Sequence, residues 1–178
     1  MHGLLHKSLK GYVGEYIDEI TWNEVLAAAD IEPKLYLPVS RYPDEEFTDA
    51  IVAVAEATDR DEDAIQREVG EYLAPELLKT FKAHVKSGWE TREVIFTLEN
   101  IYAQIRKQDG ESALPTVATD RIDADTYVVN YRSGRGLCAL GEGIILSIAD
   151  EFDDEVALSH DVCIHDGGDH CELTVEFA

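Results

Sequence analysis

Residues 116–132, TVATDRIDADTYVVNYR, and residues 156–177, VALSHDVCIHDGGDHCELTVEF, decide the fold. In the first stretch Thr116 to Arg121 and Tyr127 to Arg132 alternate around the acidic turn Asp123-Ala-Asp125, which predicts two antiparallel strands. In the second, Val156 to Cys163 and Cys171 to Phe177 read as a closing hairpin over His165-Asp-Gly-Gly-Asp-His170. Leu173, Val175 and Phe177 fall on one face of the last strand and Glu172, Thr174 and Glu176 on the other. Gly136 to Phe152, between the two pairs, has a helical pattern, so the order is β-β-α-β-β.

Upstream the period is that of helices. Leu4, Leu5, Leu9, Tyr12, Val13, Tyr16 and Ile17 recur at helical spacing. Thr21, with Glu24 three residues on, predicts a capped short helix carrying Trp22, Val25 and Leu26. Pro33 and Pro38 bracket an irregular piece. Asp44 is placed to cap a helix through Phe47, Ile51, Val54 and Ala55. Asp61 starts another through Ile65, Val69, Tyr72 and Leu73, and Pro75 begins or kinks the next. After Gly88 a strong helix carries Val94, Ile95, Leu98, Ile101, Tyr102 and Ile105 on one face, and Gly110 to Pro115 is a loop. The expected fold class is α+β: a helical N-terminal subdomain packed on a C-terminal antiparallel sheet with helices. Residues 1–178 form a single domain in this reading, its two parts (about 1–60 and about 61–178) sharing one core.

Lys plus Arg number 15 and Asp plus Glu 37, so the 178-residue chain has a formal charge of −22. That surface repels phosphates and argues against nucleic acid as a partner. It argues equally against an anionic membrane surface, and no apolar run reaches the length of a membrane span. Met1 to Lys7 contains no sustained apolar stretch, so no signal peptide is expected. At ordinary salt this charge destabilises a compact state by self-repulsion, and concentrated salt screens it. An acidic protein of an ordinary cell is the plainer reading; a cytoplasmic protein of a salt-accumulating, halophilic organism is the one favoured. The charge is spread along the chain, as on a solvated surface, rather than held in a tail.

Two motifs mislead. Asp59, Asp61 and Asp63 mimic the start of a calcium loop, but Ala64 stands where its glycine belongs and Gly70 where its closing glutamate belongs. Gly141-Glu-Gly143 lies in a helical stretch and lacks the third glycine of a dinucleotide fingerprint.

Cys138, Cys163 and Cys171 all lie in the last 41 residues. An odd count without an export signal argues against a disulfide framework. With His160, three residues before Cys163, they make four ligands of the kind found in tetrahedral Cys₃His zinc sites. His160 and Cys163 end one hairpin strand, Cys171 begins its partner and Cys138 starts the helix before them, so a metal would pin helix to hairpin. Three buried free cysteines beside a polar histidine are the plainer alternative. His165 and His170 read as turn residues or outer supports of the site.

Tyr131-Arg-Ser133-Gly-Arg135 carries a phenol, a hydroxyl and a guanidinium at period two. On an extended strand all three point to one face. Together they match one or two ligand carboxylates, with the arginine as bidentate partner. A solvated strand end is the other reading of the same residues. No catalytic constellation is present, since no Ser–His–Asp set belongs to one pocket and the cysteines are accounted for by metal spacing, so the chain is not expected to be an enzyme.

Taken together, these residues resemble the H-NOX, or haem–nitric-oxide-binding (HNOB), domain family over essentially the whole chain. The resemblance is carried by the Met1-His-Gly start, the helical first half, Leu114-Pro115, Tyr131-x-Ser133-x-Arg135 and the late β-α-β-β part. Cys138, His160, Cys163 and Cys171 look like the zinc site of one bacterial branch, to which the stretch Ser159 to Cys171 is especially similar. The resemblance implies a nitric-oxide or other small-ligand sensor with haem between the two subdomains. Tyr131, Ser133 and Arg135 would hold its propionates, with Pro115 nearby. It also implies signal transduction to a partner kinase, cyclase or chemotaxis protein.

The sequence departs from the family where the iron-ligating histidine belongs, because that place is Tyr102. The helix of Tyr102 contains no histidine, and His84 is on the preceding one. Release of a proximal histidine therefore cannot carry the signal here. Three readings follow: Tyr102 ligates haem as a phenolate; a haem or related tetrapyrrole rests on Tyr131, Ser133 and Arg135 without Tyr102; or no haem binds and the zinc end carries the signal. Tyr102 as a core tyrosine also fits. The corresponding alternatives in function are a haem-free zinc–thiolate redox sensor and a scaffold that docks a partner through an acidic helical face.

Overall fold

The structure, a computed structural model, describes residues 1–80, 88–109 and 115–178, and within 88–109 the side chains of 88–100 and 103. The helices are α1 (Gly3–Tyr16), α2 (Trp22–Ala28), α3 (Asp44–Thr58), α4 (Glu62–Thr80), α5 (Thr91–Asp109) and α6 (Cys138–Glu151). The strands are β1 (Thr116–Arg121), β2 (Thr126–Arg132), β3 (Val156–Val162) and β4 (Cys171–Phe177), with α6 between β2 and β3. This is the expected α+β order. His84 and Leu114 lie outside the described residues, as does the side chain of Tyr102, whose backbone is on α5.

The strands form one antiparallel sheet in the order β1-β2-β4-β3. The β1–β2 turn forms because Asp123 Oδ1 accepts the backbone N–H of Asp125 and of Thr126, both at 2.9 Å. The pairing sets Tyr131 opposite Val117 on one side and opposite Cys171 on the other. Leu173, Val175 and Phe177 are buried, as their alternation predicts. They pack with Ile95 of α5, Val117, Val129 and Ile145 of α6. A second apolar cluster joins Leu9 and Val13 of α1, Val25 and Leu26 of α2, and Phe47, Ile51 and Val54 of α3 to Ile65 and Val69 of α4 and to Leu140 of α6. Helix α6 thus contributes Leu140 to one cluster and Ile145 to the other.

Helices α4 and α6 approach closely because two glycines face the opposite backbone. A Cβ on Gly70 would lie 2.3 Å from the Leu140 carbonyl oxygen, and one on Gly143 1.9 Å from that of Arg67. Gly143, one end of the false dinucleotide motif, is therefore a packing residue.

The predicted cap at Thr21 is present in full, its side chain accepting from Glu24 N and the Glu24 carboxylate from Thr21 N. Two helix-boundary expectations are corrected. Asp44 does not cap α3: Pro43 is the N-cap residue and makes no side-chain cap bond, while the Asp44 carboxylate turns to Arg135 and the Met1 amine. Pro75 does not open a new helix, because α4 runs through it to Thr80. Its missing N–H leaves the Glu71 carbonyl without a helical partner, and both residues are exposed, where water can serve.

Candidate metal centre and carboxylate-binding turn

Cys138 opens α6, His160 lies on β3, Cys163 follows β3 and Cys171 opens β4. Their ligand atoms all lie within 4.8 Å of one another. The Sγ atoms of Cys138 and Cys163 are 3.8 Å apart, and those of Cys163 and Cys171 4.0 Å. Zinc–sulfur bonds of about 2.3 Å at tetrahedral angles place sulfurs about 3.8 Å apart, so the spacing is that of a shared metal. It is far too long for a disulfide, and all three cysteines are free.

A regular strand would not bring this set together. His160 and Cys163 are three residues apart, which puts them on opposite faces of an unbroken strand. The pairing of β3 with β4 slips between His160, opposite Leu173, and Val162, opposite Glu172. The extra residue, Asp161, is a bulge that restores the parity and turns both ligands to one point.

The outer contacts of the site are specific. His160 Nδ1 is 2.8 Å from Glu142 Oε1, and since a carboxylate only accepts, Nδ1 carries the proton. His160 Nε2 is buried and without a hydrogen-bond partner. Glu142 Oε2 accepts from Arg67 Nε at 2.9 Å and Nη2 at 2.6 Å. The backbone N–H of Ile164 points at Cys171 Sγ at 3.5 Å. Burial pushes the Cys138 thiol well above its usual range, and the adjacent Cys171 and Cys163 sulfurs push it further. Burial also raises Cys171. A bound divalent cation would reverse both, since coordinated thiols lose their protons. His165 and His170 stay outside the group: His165 Nε2 donates to the Gly136 carbonyl at 3.1 Å, and His170 bridges Asp169 and Glu172.

The Tyr131, Ser133 and Arg135 set differs from its expected form. Strand β2 ends at Arg132 and residues 134–135 form a turn, so the three side chains do not share one extended face. Tyr131 is buried within the sheet core. Ser133 Oγ accepts the backbone N–H of Arg135 at 3.3 Å. The Arg135 guanidinium grips the Asp44 carboxylate with Nε at 2.6 Å and Nη2 at 3.1 Å. The Met1 amine holds Oδ1 of the same carboxylate at 2.5 Å. Burial works to raise the Asp44 carboxyl, but the bonds from Arg135 and the Met1 amine outweigh it and hold it below the usual carboxylate range. Of the three side chains it is Arg135 that pairs with a carboxylate here, and that carboxylate is the Asp44 side chain of α3. Pro115 is half-buried just before β1.

Glu142 and Asp44 are the site residues that sequence reading missed. Glu142 had a legible signal, being a lone acid four residues after Cys138 on an otherwise apolar helical stretch. Asp44 had none, because 91 residues separate it from Arg135.

The family described as Haem-NO-binding matches residues 2–160. Soluble guanylate cyclase 89Db of Drosophila melanogaster is 24% identical over 156 residues, covering 85% of this chain and 23% of that protein. The chain thus spans under a quarter of that relative's length. Among solved structures, an H-NOX protein from S. oneidensis in the Fe(II)NO ligation state aligns with a TM-score of 0.89 at 23% identity, covering 100% of this chain and 99% of that one. A T. tengcongensis H-NOX mutant aligns with a TM-score of 0.84 at 19% identity, covering 99% and 97%. At these identities the structural likeness establishes the fold.

Proposed function

The chain belongs to the haem-NO-binding family, whose domains sense rather than catalyse, and on that premise we propose that it is a haem-binding sensor for nitric oxide or another small ligand, with a structural zinc. The single observation that carries the haem half is the Arg135 grip on a carboxylate. A guanidinium has five N–H donors, Asp44 takes two of Arg135's, and the rest suit a propionate. Tyr131, Ser133 and Arg135 would hold the propionates, with Pro115 nearby, and Tyr102 would supply an oxygen ligand to the iron. A bound haem would supply the iron that takes the sensed ligand. Phenolate from Tyr102 would favour ferric iron, so a proximal-histidine release step is not part of this reading. Residues 1–178 act as one sensing unit, its helical part over about 1–60 moving against about 61–178. The signal would pass to a kinase, a cyclase or a chemotaxis protein.

The zinc half rests on two observations: the His160 ring offers a nitrogen to a group of three cysteine sulfurs within 4.8 Å, and its Nε2 is buried without a partner. Cys138, His160, Cys163 and Cys171 would hold the ion and so fasten α6 to the hairpin, with its charge keeping the sulfurs as thiolates. The presence of Tyr102 where a histidine is expected favours one further reading, a haem-free zinc–thiolate redox sensor or docking scaffold. No helix among the described residues is long and apolar enough to cross a membrane. A halophilic cytoplasm remains the setting that the −22 charge suits.

One sample decides between these readings: the chain purified with haem available and without chelator, examined by visible spectrum and elemental analysis. A Soret band that shifts in Tyr102→Phe supports phenolate ligation. A Soret band unchanged in that variant leaves Tyr102 as packing. No Soret band with one zinc per chain selects the haem-free sensor, and no zinc removes the metal site.

A further inference from the structure

Resting on the zinc reading above, we propose that Glu142 is a positioning residue for the metal centre. It accepts the Nδ1–H of His160, fixing the tautomer that turns the Nε2 lone pair toward the three sulfurs, and Arg67 holds Glu142 in place from α4.

Glu142 is the only buried carboxylate among the described residues. A carboxylate on a helical stretch that otherwise buries Ala139, Leu140 and Ile145 costs free energy unless both oxygens are bonded. Both are, and to different partners: Oε1 to His160 on β3, Oε2 to Arg67 on α4. A neutral imidazole has one donor nitrogen and one acceptor nitrogen. With Nδ1 committed as donor to Glu142, Nε2 is an acceptor, buried and without a donor. A cation among the sulfurs satisfies it.

Arg67 keeps Glu142 from adding to the charge of the centre. Three thiolates and one Zn²⁺ leave a net negative centre, and Glu142 adds a second negative charge beside it. The Arg67 guanidinium, paired to Glu142 at 2.6 Å, offsets that addition. Cys138 and Glu142 are four residues apart on α6, so one helical face presents a ligand and the support of another ligand. The glycine contact between α4 and α6 brings Arg67 within reach, because Gly143, next to Glu142, lies against the Arg67 backbone. The metal centre at the C-terminal hairpin is thereby wired to α4, 75 residues upstream of Glu142.

The test uses the full chain loaded with zinc and, separately, with cobalt(II). Long-range proton–nitrogen NMR of the zinc form should show His160 protonated at Nδ1 and metal-shifted at Nε2; coordination through Nδ1 would overturn the proposal. In cobalt titrations against a chromogenic chelator, Glu142→Leu should lose 10- to 100-fold in affinity and shift the d–d bands, as removal of an outer support does elsewhere. Glu142→Gln, whose carbonyl still accepts the Nδ1–H, should recover part of that loss. In a His160→Cys background there is no imidazole to orient, so the same Leu substitution should cost less than about threefold. Equal cobalt affinity in Glu142→Leu and the unsubstituted chain would refute the role, as would a penalty undiminished in the His160→Cys background. If Glu142→Leu does not fold, the NMR measurement on the unsubstituted chain decides by itself. Absence of thiolate-to-cobalt charge-transfer bands in the unsubstituted chain is a separate failure, which removes the zinc reading and this role with it.

Discussion

Gly141 and Gly143 are two residues apart on α6, and alanine should have opposite effects at the two positions. At Gly143 the new Cβ would sit 1.9 Å from the Arg67 carbonyl oxygen, 2.7 Å from its carbon and 3.0 Å from Glu71 N. All three are backbone atoms of α4, so no side chain can swing aside. Moving the Cβ–oxygen contact out to even 3.0 Å requires α4 and α6 to part by at least about 1.1 Å. Overpacking of this kind costs roughly 1–3 kcal/mol, and the helix-propensity gain of glycine to alanine returns only about 0.5–1 kcal/mol. A 1.9 Å approach to backbone belongs at the upper end of that cost, so the net expectation for Gly143→Ala is a loss of about 1–2.5 kcal/mol, or roughly 2–10 °C in Tm for a chain of this size. At Gly141 the nearest atom is Leu173 Cδ1 at 4.0 Å, an ordinary contact. Gly141→Ala should keep the propensity gain and raise Tm by roughly 1–4 °C. The assay is thermal unfolding of both variants by circular dichroism at one fixed salt concentration. If Gly143→Ala is as stable as the parent, or if both variants move the same way, the glycine-mediated helix contact does not control stability.

Four further outcomes follow from the same physics. Tm should climb as salt goes from low to molar, because diffuse repulsion from a charge of −22 is being screened; a flat profile would remove the halophilic reading. His6 is fully buried and stacked on Tyr36, and burial lowers its pKa from 6.5 to about 4. The unfolded chain therefore takes up a proton in that window and the folded chain does not. Stability should be full above about pH 6.5 and fall by about 3 kcal/mol on the way down to about pH 4; His6→Phe should flatten that slope in denaturant titrations. Asp44→Asn takes the carboxylate from Arg135 and should cost about 1.5 kcal/mol, the low end for a charge-assisted pair since the Asp44 side chain is 33% exposed; no change in urea unfolding would count against the clamp. Cys171→Ser should lower the zinc content and loosen β3 and β4 together in hydrogen exchange, whereas unaltered protection of the hairpin would mean no metal fastens it.

The elements themselves were legible because their signals are local. Alternation in residues 116–132 and 171–177 gave the strands, and Thr21 with Glu24 gave a cap, from neighbours a few positions apart. The grouping of Cys138, His160, Cys163 and Cys171 was legible because the H-x-x-C spacing and the hairpin both point to one place, and their ligand atoms do meet within 4.8 Å. The local signal misled at Asp44 and at Pro75. Helix α3 starts one residue earlier than a cap at Asp44 requires, with Pro43 at the N-cap, and the Asp44 carboxylate is held by Arg135 and the Met1 amine instead. A proline ends a helix unless packing outweighs its lost bond, and Ala74 and Leu73 are buried beside it.

Local pattern and residue chemistry are enough to list the parts: four strands, amphipathic helices, a cluster of Cys and His with metal-site spacing, and an arginine just past the end of β2. The tertiary structure decided which parts meet. The bulge at Asp161 put His160 and Cys163 on one side, the α4–α6 glycine contact brought Arg67 to Glu142, and the β2 turn aimed Arg135 at Asp44. Each of these depends on strand register or helix separation. The Arg67–Glu142 and Asp44–Arg135 pairs join residues 75 and 91 positions apart, so no single local stretch carries them.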